Sequence, residues 1–231
     1  MIRVPAGKRR FSDFPVLDKR PFFRHTPYRL VGIMKTDTEP STKDKLLNAA
    51  EALMLAKGFT ATSVDEICEE AGVTKGSFFH YFESKDELAR VVLERFCCNM
   101  GSVHASCCSG EKDPLKRLYA YVDGMIRHSK EKGKEGCLLG MFSQELAQED
   151  AAMRRLCDKA FDGWRSQLTK EIAEAKRAHA PKAAFDPQSV ADHLIAVVEG
   201  SWILAKVRQN PAIVAANLKH FRDYLEGLFS Q

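Results

Sequence analysis

Within eight residues, Thr74, Lys75, Gly76, Ser77, Phe79, His80 and Tyr81 bring together hydroxyls, an ammonium, an imidazole, a phenol, an exposed apolar ring and a glycine. That mixture suits a polyanion with a patterned edge: cations and hydroxyls hold phosphate oxygens, while polar and apolar tips read base edges in a groove. The order of the residues matters as much as their types. Thr74 can cap a short helix from Lys75 to Phe82. Its first turn, Thr74 to Ser77, then offers free N–H groups and the positive end of a helix dipole to an anion. Gly76 leaves room there for close approach. Phe78 and Phe82, four apart, share an inward face, which leaves Ser77, Phe79, His80 and Tyr81 pointing outward.

The elements that must hold this helix are legible on both sides of it. Val64, Ile67, Cys68 and Ala71 recur at i, i+3, i+4 and i+7, the stripe of a short amphipathic helix. Ser63 with Glu66 three residues on forms a capping box at its start. Ala71-Gly72-Val73 makes a tight turn, and Ser84-Lys85-Asp86-Glu87 supplies a second capping box for a third helix. Two short helices joined by a glycine-containing turn are the grammar of a helix-turn-helix, whose second helix enters the major groove. A helical hairpin on any protein surface is the plainer alternative. The coincidence of two boxes, the turn and a cation among small residues at a helix start favours DNA. Thr62, Ser63 and Lys85 flank this device and complete the candidate contacts.

The run V-T-K-G-S-F-F-H-Y-F-x-S-K-D-E-L, preceded by the helix TKDKLLNAAEALMLAKGF, resembles the N-terminal domain of the TetR family of bacterial transcriptional regulators. The resemblance implies an all-α, two-domain homodimer whose C-terminal domain responds to a ligand. Many members carry Tyr where this chain has Phe79, so a hydroxyl contact to DNA is absent at that position. The expected organisation is a basic extension over residues 1–40, a three-helix DNA-binding domain over 41–88, and a larger helical effector-binding and dimerisation domain over 89–231.

Charge and composition narrow the reading further. The net charge of +4 comes from the first 34 residues, which hold eight Lys/Arg against two Asp/Glu. That proline-containing stretch lacks helical periodicity, and it reads either as a basic arm for phosphate contacts or as sequence upstream of a true start at Met34. Residues 35–100 are acidic, with eight basic and twelve acidic side chains, so affinity for DNA must come from a few placed groups. No apolar run approaches the roughly 20 residues of a membrane span, and no secretion signal is recognisable, so the expected location is cytoplasmic. Seven cysteines without a C-x-x-C knuckle suggest neither a disulfide framework nor structural zinc. A cysteine-dependent enzyme is the reading from another class. It finds no G-x-S-x-G, H-E-x-x-H or P-loop motif and no convincing Cys/His pairing. No metal or cofactor is expected.

From residue 84 onward, helical patterns alternate with breakers: Lys85 to about Ser106, Leu115 to about Lys130, Cys137–Ala147, Asp150 to His179, Gln188–Arg208 and Ala212–Phe229. The last two are apolar around much of their circumference. They read as an internal hairpin or, as the resemblance implies, as a dimer seam carrying Trp202, Phe221 and Leu225. Among the middle helices, Phe96, Met141 and Trp164 are candidate chamber residues, joined by the polar Glu145, His104 and Lys206. Cys137 opens a short helix after Gly136, where a helix dipole would favour thiolate. The segments GCLLGMFSQELAQEDAAMRRLCDKAFDGW and EGSWILAKVRQNP resemble a NemR-like and AcuR-like subgroup of the family. That resemblance implies sensing of electrophiles or oxidants at Cys137 with Lys206 as its neighbour, or of small unsaturated acids. The plainer reading keeps Cys137 as a packed helix-start residue.

Overall fold

The structure is a computed structural model that describes residues 39–131 and 136–230. The basic stretch up to residue 38, including Met34, and the lysine-bearing loop 132–135 before Cys137 lie outside the described residues. The chain is all-α. Its helices are α1 (Thr42–Lys57), α2 (Val64–Ala71), α3 (Lys75–Tyr81), α4 (Lys85–Cys108), α5 (Pro114–His128), α6 (Leu138–Leu146), α7 (Ala151–His179), α8 (Pro187–Val207) and α9 (Ala212–Phe229). No strand forms among the described residues.

Most helix starts are set by a side-chain cap. Ser41 accepts from the N–H of Asp44 at 3.2 Å. Asp113, Asp150 and Asp186 each accept from two N–H groups in the first turns of α5, α7 and α8. The caps supply acceptors to donors that have no partner inside the helix. α5 and α8 begin on Pro114 and Pro187, one residue before the expected Leu115 and Gln188. Proline fits the first helical position because its missing N–H would have gone unused there.

Two apolar clusters organise the packing. The first joins Leu46, Met54, Ile67, Phe78, Phe82, Leu88, Leu93, Phe96, Leu138, Phe142 and Met153, so it runs through α1 to α4, α6 and the start of α7. The second joins Leu118, Val122, Leu168, Ile172, Leu194, Leu218 and Leu225 across α5, the later part of α7, α8 and α9. Each fully buried Leu or Phe contributes about 1.5–3 kcal/mol. The first cluster does not stop at residue 88: α4 and α6 are packed into the same core as the small N-terminal helices. α7, 29 residues long and hence about 44 Å at 1.5 Å per residue, reaches from one cluster into the other.

Candidate nucleic-acid interface and effector chamber

The N-terminal device closes as its local chemistry requires. The Ser63 N–H donates to Glu66 Oε2 at 2.9 Å and the Glu66 N–H donates to Ser63 Oγ at 3.2 Å, a complete capping box. The Lys57 ammonium on Glu66, together with the Ser63 N–H, holds that carboxyl down at about 2. Gly72 takes the left-handed conformation, φ +64°, that ends α2 and turns the chain into α3. Thr74 caps α3 by accepting from the Ser77 N–H at 3.2 Å. At α4 the second box is one-sided. Ser84 accepts from the Glu87 N–H at 3.1 Å, but the Glu87 carboxylate reaches the N–H of Glu83, not that of Ser84.

α3 is anchored by Phe78 and Phe82, both buried, and the two rings lie 5.9 Å apart. Thr74, Lys75, Gly76, Phe79, His80 and Tyr81 are exposed, and Ser77 is half-buried. Phe79 is 58% exposed and Tyr81 39%. Lys75 Nζ lies 2.6 Å from Asp65 Oδ1 in an exposed ion pair. Such a pair contributes at most about 1 kcal/mol, so a phosphate can compete for the ammonium.

Two flanking candidates are placed differently from expectation. Thr62 is buried, and its hydroxyl donates to the Gly58 carbonyl at 2.7 Å. Its side chain is therefore part of the α1–α2 turn and is not free to reach DNA. Lys85 Nζ donates to the carbonyls of Phe59 at 2.9 Å and Thr62 at 2.7 Å, and sits 4.1 Å from the Phe59 ring centroid. Two carbonyls and a ring face engage the ammonium, which ties α4 to the same turn.

The proposed chamber residues do not form one cluster. Phe96 is buried in the first core, with Cys137 and Met141 packed against it. Trp164 packs against the second core and donates from Nε1 to Tyr121 Oη at 2.9 Å. Beside that pair lies His104, one of the polar residues expected at the chamber. His104 is buried, its Nδ1 accepts from the Gln167 amide at 2.7 Å, and its ring meets Tyr121 edge-on at 4.5 Å. Burial pulls the His104 pKa down and pushes that of Tyr121 up. Arg117, paired with Glu171 at 3.0 Å and Glu174 at 2.7 Å, lines the same small gap between α4, α5 and α7.

Cys137 requires the largest correction. It stands at the N-cap of α6, but burial, and next the Glu199 carboxylate, push its thiol well above the usual value. The Gly140 N–H works in the opposite direction and does not prevail. Burial raises Glu199 in turn to about 7. Its Oε1 is buried without a partner, and its Oε2 lies so near Gly140 that a Cβ there would meet it at 1.8 Å. The local dipole favours thiolate, but desolvation and a nearby like charge outweigh it. Lys206, the anticipated neighbour, is exposed and donates to the Leu55 carbonyl at 3.5 Å.

Glu145 points away from the chamber as well. Its Oε2 accepts from the Thr60 N–H at 3.1 Å and from Thr60 Oγ1 at 3.4 Å. A Cβ on Gly58, where φ is +90°, would collide with the same carboxylate at 2.0 Å. The end of α6 thus clasps the turn that positions α2 and α3. Of the residues expected at a dimer seam, Leu225 is fully buried and Phe221 nearly so, because α9 turns this face toward the second core. Leu225 belongs to that core and not to an external surface, whereas Trp202 remains half-buried. The outward apolar groups are Ile203, Leu204, Val207 and Tyr224. Leu204 and Tyr224 border a groove of about 350 Å³ whose lining also includes His193, Gly200 and Phe221.

A glycine-turned helix pair with a polar, partly aromatic second helix, mounted on a larger helical body, defines a helix-turn-helix DNA-binding protein. Comparison with known proteins makes this specific. Residues 46–92 match the model described as bacterial regulatory proteins, tetR family. Residues 114–221 match that of the tetracyclin repressor-like C-terminal domain. An HTH-type transcriptional regulator encoded in the lacX 3' region of Lactococcus lactis is 31% identical over 80% of this chain and 94% of its own length. The HTH-type transcriptional repressor NemR of Escherichia coli is 28% identical, covering 83% of this chain and 98% of that protein. The crystal structure of reduced E. coli NemR superposes with a TM-score of 0.67 over 79% of this chain and 95% of that one. The transcriptional regulator AcuR of Cereibacter sphaeroides is 27% identical over 76% of this chain and 90% of its own. The chain belongs to the TetR family and is a DNA-binding transcriptional regulator.

Proposed function

We propose that this regulator is a cytoplasmic homodimeric repressor that lays two copies of α3 in the major grooves of a symmetric operator and leaves it when a small molecule occupies the C-terminal helices. The single observation that carries this reading is mechanical. α3 is fastened to α4 through the first core, and the α1–α2 turn is fastened to α6 through Glu145, so a shift of α4 or α6 must move the reading helix. Ser63, Thr74, Lys75, Gly76, Ser77, Phe79, His80 and Tyr81 form the DNA face. The repressors NemR and DhaR among the similar proteins support the sense of regulation. No helix among the described residues is long and apolar enough to cross a membrane, which agrees with a cytoplasmic location. An apolar outward face on α8 and α9 supports a dimer, because one half-site contact gains affinity when a two-fold copy reads the other.

A second reading for release, modification of Cys137 by an electrophile, is supported by Glu199. A neutral thiol reacts slowly, but an adjacent carboxylate titrating near neutrality can accept its proton as sulfur attacks. Operator release is the test, with wild type and Cys137→Ser compared before and after N-ethylmaleimide. Release of the wild type alone assigns the trigger to Cys137. Equal release of both, or of neither, removes Cys137 and leaves a noncovalently bound ligand.

A further inference from the structure

Phe79 stands out on the DNA face because it has nothing to offer a phosphate. Its side chain is 58% exposed, which places a large apolar ring in water in a free chain. The ring is held by Phe78, fully buried beneath it, in an edge-on contact with centroids 5.2 Å apart and planes at 79°. A helical side chain leans toward the turn N-terminal to its own Cα, so this ring is directed toward the turn that holds Lys75 and Gly76. At Gly76 a Cβ would meet only Thr74 Oγ1, at 3.6 Å. The surface beside the ring is therefore open down to the backbone. Hydroxyl, ammonium and imidazole groups surround it, and all of them suit phosphates and base edges better than they suit an apolar protein partner.

In the major groove, the base-edge feature that rewards an apolar side chain is the C5-methyl of thymine. We infer that Phe79 is a specificity-determining residue that reads a thymine methyl, once in each half-site. The inference rests on α3 being the groove-reading helix. It adds the base preference of one position on that helix. A buried methyl-sized group contributes about a fourfold change in affinity per contact, hence about fifteenfold for two symmetric contacts.

The test starts from a duplex recovered with the wild-type protein by selection from random-sequence DNA. Each thymine is then replaced in turn by deoxyuridine in both half-sites, which removes the methyl and leaves the Watson–Crick edge unchanged. Fluorescence anisotropy should show a loss of about tenfold or more at one symmetric position. In Phe79→Ala that penalty should fall to near unity, while penalties at other positions persist. Phe79→Tyr, which keeps the ring, should retain it. A wild type indifferent to every deoxyuridine, or a penalty unchanged in Phe79→Ala, overturns the inference. So does unaltered DNA affinity in Phe79→Ala, which would make the ring a protein-contact residue. If Lys75→Ala and Ser77→Ala also bind the selected duplex as wild type does, the placement of α3 itself fails. Because Phe79 is exposed, the alanine variant should keep wild-type circular dichroism.

Discussion

Replacing Glu199 with glutamine should abolish a pH dependence of stability that the wild type carries between about pH 4.5 and 7. The Glu199 carboxyl is wedged against the Gly140 backbone with Oε1 buried and unpartnered, and burial raises it from 4.5 to about 7. The folded-state value is raised, so the stability linked to this group is fully present below pH 4.5, where folded and unfolded chains both hold the proton. It is lost as pH rises, because the unfolded chain releases the proton first, and the loss is complete just above pH 7. At 1.36 kcal/mol per pH unit, the interval corresponds to about 3 kcal/mol. Partial access of water to the side chain reduces the expectation to about 2 kcal/mol. Urea unfolding of wild type and Glu199→Gln at matched protein concentration, at pH 4.5 and pH 8, measures it directly. The variant should gain about 2 kcal/mol on the wild type between the two pH values. A stability difference between the two proteins that is the same at both would refute the reasoning, since it would mean that the carboxyl titrates alike in folded and unfolded chains.

Gly58→Ala should cost about 2 kcal/mol or more, combining backbone strain at φ +90° with collision against Glu145, and thermal denaturation should register it as a drop of several degrees. Leu204→Glu, on the exposed apolar rim of α8, should convert a sedimenting dimer to monomer with helicity intact; a persistent dimer would exclude this face. Lys75→Ala should lower the slope of log affinity against log salt by about one per chain, the loss of one phosphate contact. An unchanged slope would leave the ammonium with Asp65.

How much of this was legible depended on how far each residue's partners lie along the chain. The Ser63–Glu66 box, the Gly72 turn and the Thr74 cap read directly, because each is complete within four residues. The inward Phe78 and Phe82 and the outward Phe79 and Tyr81 followed from helical periodicity, and nearly all later helix limits followed from Pro, Gly and Asp. Cys137 was misjudged electrostatically. Burial dominates, and the charged neighbour that adds to it, Glu199, lies on α8, where no local pattern announces that it packs at Gly140. Thr62 and Lys85 were assigned to DNA by their nearness in sequence to the reading helix. The Thr62 hydroxyl is consumed by the Gly58 carbonyl four residues back, and the Lys85 ammonium by the carbonyls of Phe59 and Thr62, visible only once α4 is docked against that turn. Leu225 had the right apolar character for a seam, but periodicity cannot say which of two apolar faces on α9 meets its own core. His104 was expected at the chamber, but its partners, Gln167 and Tyr121, come from two other helices and no local pattern names them.

On the proposed function, α3 of this TetR-family chain reads DNA as one half of a symmetric pair. The most direct test is the stoichiometry and sequence dependence of binding to the selected palindromic duplex, followed by fluorescence anisotropy with protein titrated above the dissociation constant. Saturation at two chains per duplex, loss of tight binding when one half-site is scrambled, and weakening by Lys75→Ala and Tyr81→Phe are expected. Saturation by a single chain, or equal affinity for intact and scrambled duplexes, would contradict that reading.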